Sequence, residues 1–103
     1  MSKKLPKLVR DEIPRLIEES GKALKAHIAD SIEYDRLIID KMKEEVDEFY
    51  EDPSVQEAAD IYEVYLSILE NWSISQSAVD AMAEKKRLSR GSFRKGIVLE
   101  EVL

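Results

Sequence analysis

The sequence predicts an all-α protein, a four-helix bundle with a central antiparallel helix hairpin. Apolar residues recur with helical spacing in two long segments, and only Asp52-Pro53-Ser54 separates them. A break this short allows only a tight turn between helices, so the two segments should lie side by side and antiparallel. Shorter segments with helix start and stop signals lie on either side of this hairpin.

Capping residues predict where each helix begins and ends. Asp30 with Glu33, and Ser54 with Glu57, have the spacing of capping boxes, and a glycine follows the first and the last helical segment. The predicted helices run from about Glu12 to Ser20 with Asp11 as N-cap, from Asp30 to Tyr50, from Ser54 to Asn71, and from Ser75 to Gly91.

The third predicted helix carries apolar residues on more than one face, among them Ile61, Val64 and Tyr65. A stripe this wide predicts burial on two sides, against the hairpin partner and against another surface. Because the chain has only four helices, we expect that surface to belong to a second subunit of a homodimer or homotetramer. In the other helices we expect these side chains to face inward: Leu16 and Ile17; Tyr34, Leu37, Ile38, Met42, Val46 and Phe49; and Val79, Met82, Ala83 and Leu88.

The length of 103 residues predicts a single helical domain over positions 1–103. The chain has no cysteine, which excludes a disulfide framework and a zinc–thiolate site and fits a reducing compartment. No apolar run approaches membrane-spanning length, and none follows the early lysines as in a secretory signal. We therefore expect a cytoplasmic protein with no membrane partner.

The charge is unevenly distributed. Residues 30–63 contain thirteen Asp/Glu and three Lys/Arg, a net charge of −10 within a total of −6. The remaining residues therefore carry +4, concentrated between positions 85 and 95 and at Lys3, Lys4, Lys7 and Arg10. An acidic middle would repel a nucleic-acid backbone, whereas it suits a metal centre whose anionic ligand is held by outlying cations.

Two acidic clusters flank the break, Glu44-Glu45-x-x-Glu48 before it and Glu57-x-x-Asp60 after it. Carboxylates three residues apart lie on one face of a helix. Opposed positions in an antiparallel hairpin have a constant sum of residue numbers, and the pairs Glu48–Glu57 and Glu45–Asp60 share one sum. Converging carboxylates repel each other unless a cation binds among them, and hard oxygen ligands suit Mg²⁺, or Mn²⁺ in its place.

Other interpretations of these acids stay open at this point. Glu57 fits a capping box with Ser54, and acidic helix faces are often merely solvated. Against this, Glu45 shares its helix face with Met42 and Phe49. A carboxylate turned towards a core needs a partner, which favours the metal site.

Six cations lie between positions 85 and 95, at the end of the predicted fourth helix. Cations there stabilise the helix dipole, and they can also bind phosphate oxygens; Lys86 and Arg90 are our candidates for the second role. The segment 7–11 fits a solvated start followed by an N-cap. His27, the single histidine, fits a surface or packing role better than that of a base, and no Ser–His–Asp triad is supported.

The acidic motif and its flanks resemble a known superfamily. EExxE at 44–48 followed by ExxD at 57–60 is similar to the signature of the all-α nucleotide pyrophosphohydrolases, which include MazG, the dimeric dUTPases and phosphoribosyl-ATP pyrophosphohydrolase. KLVRDEIP near the start and RGSF near the end look like the small MazG-like branch labelled phosphoribosyl-ATP pyrophosphohydrolase-like. One departure is the inter-motif segment of eight residues, because family members more often have a longer one.

The resemblance, which spans roughly Lys7 to Val102, implies metal-dependent hydrolysis of a nucleoside triphosphate or a related nucleotide between its α and β phosphates. The products would be a nucleoside monophosphate and pyrophosphate. Glu44 or Glu48 would orient or deprotonate the attacking water, and Lys86 and Arg90 would steady the phosphates. The implied magnesium ligands are Glu45, Glu48, Glu57 and Asp60.

Two further hypotheses compete with the enzyme. The chain could be a non-catalytic helical module that binds a nucleotide or a metal ion without cleaving anything. It could also be an interaction domain whose acidic and basic surfaces bind a protein partner.

Overall fold

The computed structural model describes residues 5–103, and all of the regular secondary structure in that range is helical. The helices are α1 (Ile13–Glu19), α2 (Ser31–Glu51), α3 (Val55–Asn71) and α4 (Gln76–Arg90). The predicted all-α class with four helices is therefore confirmed for the described part of the chain. Lys3 and Lys4, two of the cations outside the acidic middle of the chain, lie outside the described residues.

The three long helices begin at the predicted capping residues, whose side-chain oxygens accept a hydrogen bond from a backbone N–H of the first turn. The N–H of Glu33 donates to Asp30 Oδ1 at 2.9 Å, that of Glu57 to Ser54 Oγ at 3.2 Å and that of Ala78 to Ser75 Oγ at 3.3 Å. Gly91 ends α4 with a φ of 85°, a conformation that glycine adopts without steric cost.

The predicted N-cap of α1 is wrong. Glu12 rather than Asp11 precedes the first helical residue, and no side chain caps this helix. The physical reason lies in the first turn, where few N–H groups need a side-chain acceptor. The N–H of Ile13 donates to the carbonyl of Arg10 at 3.0 Å, and Pro14 has no N–H to satisfy.

The hairpin of α2 and α3 contains the core. Among the described residues these two helices form the one extensively packed pair. The buried apolar side chains are Leu37, Ile38, Val64 and Leu69. At the end far from the turn, Asn71 Nδ2 donates to Asp35 Oδ1 at 2.7 Å, which ties the end of α3 to the start of α2 and shows that the two helices are antiparallel.

The chain is elongated, because α1 and α4 do not pack closely on the hairpin. Its radius of gyration is 17.8 Å, and its extents are 58 × 31 × 28 Å. A compact domain of this length would have a radius of about 13 Å. No helix of the described range combines the length and apolar character needed to cross a bilayer.

Several side chains predicted to face inward are exposed in the single chain, and they lie mainly on the two outlying helices. On α4 the apolar positions have no helix opposite them, and Val46 lies on a face of α2 that α3 does not cover. The corrected residues are Leu16, Val46, Met82, Ala83 and Leu88.

Two adjacent isoleucines test this description of the core. Ile38 is 5% exposed and Ile39 is 38% exposed, although both lie in the middle of α2. We expect Ile38→Ala to lower the free energy of unfolding by about 2–4 kcal/mol, because it leaves a cavity in the core. Ile39→Ala changes helix propensity equally and should cost clearly less. Urea denaturation of both variants measures the difference, and equal losses would contradict the assigned core.

Candidate metal centre

The acidic residues lie in the half of the hairpin nearest to its turn. Glu44, Glu45 and Glu48 belong to the C-terminal part of α2, and Glu57 and Asp60 to the first turns of α3. Within each helix the i,i+3 spacing places them on one face, and antiparallel packing turns the two faces towards each other. Local helix geometry and the short turn together bring the acids to one place.

The carboxylates form two overlapping groups. Oxygens of Glu44, Glu45 and Glu48 lie within 4.8 Å of one another, and so do oxygens of Glu45, Glu57 and Asp60. Glu45 belongs to both groups and links the two helices. The structure therefore brings together all five acids that the sequence singled out; their role as metal ligands stays a prediction.

Glu45 is unusually placed for a charged residue. It is 5% exposed, and its Oε2 atom is buried without a hydrogen-bond partner. Oε2 of Glu57 is buried in the same way, and Oε2 of Glu48 is also shielded from solvent. A buried carboxylate oxygen without a donor is costly, since its charge is neither hydrated nor compensated. Oε2 of Glu45 and Oε2 of Glu57 therefore lie buried without a hydrogen-bond donor at the centre of the cluster.

The environment of Glu57 raises the pKa of its carboxyl group. Burial is the largest cause, followed by repulsion from the charges of Glu48, Asp60 and Glu45. The capping interpretation accounts only for the backbone of Glu57, whose N–H donates to Ser54. It does not explain why the Glu57 side chain lies among other carboxylates.

Lys41 supplies one positive charge to the site from inside the hairpin. Its Nζ lies 2.8 Å from Glu44 Oε1 and 3.3 Å from Glu45 Oε1, and its side chain is 15% exposed. The sequence analysis missed this residue. The signal was present, because positions 41, 44 and 45 have the i,i+3 and i,i+4 spacing of helical ion pairs.

Arg10 supplies a second positive charge from outside the hairpin. Its Nη2 donates to Asp60 Oδ1 at 2.8 Å, across fifty positions of sequence. The expectation that segment 7–11 is only a solvated start is therefore wrong for Arg10. Its backbone is held by the turn that opens α1, where its carbonyl accepts the hydrogen bond from Ile13.

The predicted phosphate-binding residues lie elsewhere in the single chain. Lys86 lines an open groove on α4 with apolar neighbours that include Ile74 and Met82, and Arg90 lies in the last turn of that helix. Neither is in an ion pair with the acidic cluster in the described range. His27 is also remote from the cluster; its Nε2 lies 2.8 Å from Glu33 Oε1 at an exposed position.

Comparison of the chain with models of protein families, with curated proteins and with solved structures finds no match.

The raised pKa of Glu57 predicts a pH-dependent gain in stability for Glu57→Gln. With its pKa raised above the ordinary 4.5, the carboxylate destabilises the metal-free folded state once it ionises. That cost is absent below pH 4.5 and develops as the pH rises through the native pKa. Glu57→Gln should therefore raise the melting temperature of metal-free protein at pH 7, with a gain that vanishes near pH 4. Thermal melts across this range measure it, and a constant gain would contradict the assigned cause.

Lys41 is expected to stabilise the metal-free fold. Lys41→Met removes the charge but keeps the length of the side chain, so Glu44 and Glu45 lose their ion pairs with Lys41. We expect a loss of about 1–3 kcal/mol in the free energy of unfolding. Lys43→Met, two positions away and exposed, should cost little. Chemical denaturation in the presence of a chelator compares the two variants, and similar losses would show that Lys41 does not compensate the cluster.

Proposed function

We propose that this protein is a metal-dependent nucleotide pyrophosphohydrolase of the MazG-like kind, with Mg²⁺ bound at the acidic hairpin. One observation carries the proposal: the carboxylates of two helices converge on Glu45, whose buried Oε2 has no donor. The similarity of the EExxE and ExxD motifs to those of all-α pyrophosphohydrolases supports the nucleotide substrate.

The charge of the cluster favours a divalent ion. Five carboxylates meet here, and the ion pairs assigned to them within residues 5–103 bring in Lys41 and Arg10, so acidic groups outnumber these two cations. Another monovalent side chain would leave most of that excess in place. Carboxylate oxygens alone, without histidine or cysteine, suit Mg²⁺ or Mn²⁺ rather than zinc.

In the proposed reaction, Glu45, Glu48, Glu57 and Asp60 hold the metal. Mg²⁺ held there would neutralise charge at the phosphates and would make the attacking water more acidic. Water adds to one of the two phosphorus atoms, the bond from that phosphorus to the bridging oxygen breaks, and the bridging oxygen leaves with the other phosphate. We assign Glu48 the role of accepting the water proton, with Glu44 as the alternative base.

We assign a second subunit the role of completing the substrate side of the site. The apolar positions of α4 are exposed in the single chain, and that helix carries Lys86 and Arg90. Packing α4 of one subunit against the hairpin of another would bury this face and could carry both cations towards the phosphates. A homodimer or homotetramer in the cytoplasm that removes unwanted nucleotides fits this arrangement.

Pyrophosphate release from a panel of ordinary and modified nucleotides, phosphoribosyl-ATP included, tests the proposal in the presence of Mg²⁺. We expect release from at least one nucleotide and none after chelation. A folded protein that binds nucleotides tightly and returns them intact would favour the non-catalytic module. If millimolar Mg²⁺ leaves the melting temperature unchanged, the metal site itself is wrong, because a ligand of the folded state must stabilise it.

Conservative substitutions test the assigned roles. Glu48→Gln and Asp60→Asn keep the size of each side chain but remove a charge, and we expect each to lower kcat at least about a hundredfold. Asp47→Asn is the matched control, because Asp47 is exposed and lies outside both acidic groups. Steady-state assays with the best substrate measure the effects. Equal activity of Glu48→Gln and Asp47→Asn would remove Glu48 from the mechanism.

A further inference from the structure

The two cations of the acidic site are held in different ways. Lys41 is 15% exposed and lies one turn from its partners on the same helix. The side chain of Arg10 is 56% exposed, and it reaches Asp60 from the segment before α1. Lys41 is therefore a fixed part of the hairpin, whereas the guanidinium of Arg10 is largely exposed to solvent and, among residues 5–103, pairs with Asp60.

A divalent cation at the site would compete with Arg10. Asp60 belongs to the group that shares Glu45, and its Oδ1 accepts the hydrogen bond from Arg10 at 2.8 Å. An ion bound by Asp60 withdraws negative charge from that carboxylate and repels the nearby guanidinium. Exposed ion pairs contribute little, so the Arg10–Asp60 pair is weak enough to be displaced.

The displaced guanidinium would stay beside the metal. The carbonyl of Arg10 is fixed by the hydrogen bond from Ile13, so only the side chain needs to turn. Arginine presents planar donors that match two oxygens of a phosphate group. Within the described chain, Lys86 and Arg90 make no ion pair with the cluster, whereas Arg10 reaches it from outside the hairpin.

We propose that Arg10 is an exchangeable cation: it neutralises Asp60 in the metal-free site, and it binds phosphate oxygens of the ligand once a divalent ion occupies Asp60. This inference rests on the proposed metal site and assigns that site a phosphate-binding residue within the same chain. Arg10 thereby couples metal binding to phosphate binding.

Calorimetry of full-length protein tests the exchange, first with Mg²⁺ alone and then with inorganic pyrophosphate at saturating Mg²⁺. Arg10→Gln should bind Mg²⁺ more tightly, by up to about fivefold, because a competitor for Asp60 is gone. The same variant should bind pyrophosphate about tenfold or more weakly, because charge-assisted hydrogen bonds are lost. If Arg10 has a purely structural role, Arg10→Gln should weaken the affinities for both Mg²⁺ and pyrophosphate, or neither of them.

Arg15→Gln is the matched control. Arg15 is 55% exposed and makes two ion pairs on α1, with Glu12 and Glu19, away from the acidic cluster. Arg15→Gln should leave the affinities for Mg²⁺ and for pyrophosphate unchanged. Arg10→Lys keeps a positive charge at position 10, so we expect it to retain part of the pyrophosphate affinity. Partial affinity in this variant would show that the loss in Arg10→Gln is not a folding defect.

The outcomes separate the two proposals. If wild-type protein binds Mg²⁺ but Arg10→Gln binds pyrophosphate as wild type does, the exchange is wrong and the metal site stands. If Arg10→Gln loses affinity for Mg²⁺, Arg10 supports the site rather than competing within it, and the exchange is again wrong. If wild-type protein binds no Mg²⁺, both proposals fall.

Discussion

Repulsion among five carboxylates is the constraint on which the rest of this structure depends. Two helices are packed so that their acidic faces meet, and the central residue, Glu45, is almost fully buried. Such an arrangement costs free energy that the small core of the hairpin has to offset. Lys41 and Arg10 reduce that cost without removing it, because buried carboxylate oxygens remain without donors. Strained arrangements and shifted pKa values of this kind cluster at functional sites in proteins.

The rest of the chain is arranged around this acidic hairpin. The apolar side chains between α2 and α3 provide rigidity, while the cap at Ser54 and the hydrogen bond from Asn71 to Asp35 hold the two ends of the hairpin. Helix α4 extends from this unit with its apolar positions exposed. The hairpin therefore positions the acids, whereas the apolar face of α4 is left uncovered in the single chain.

Local rules predicted most of the hairpin. Capping residues, helical spacing and a three-residue break were sufficient to place Glu45 opposite Asp60, because each relation involves neighbours in sequence or a turn of known geometry. The pairing of Arg10 with Asp60 was not predictable in this way, since it joins a non-helical segment to a helix fifty positions later. The exposure of Met82 and Leu88 was missed for a related reason: helical periodicity identifies an apolar face but does not say which surface covers it.

The different sequence separations of the two ion pairs have a consequence for folding. Lys41, Glu44 and Glu45 lie within two turns of one helix, so most of the charge compensation on that helix can form as soon as the helix does. The link between Arg10 and Asp60 closes a loop of fifty positions, and its entropic cost delays it until α3 has docked on α2. We therefore expect the segment around Arg10 to join the acidic site after the hairpin has formed and to leave it first on unfolding.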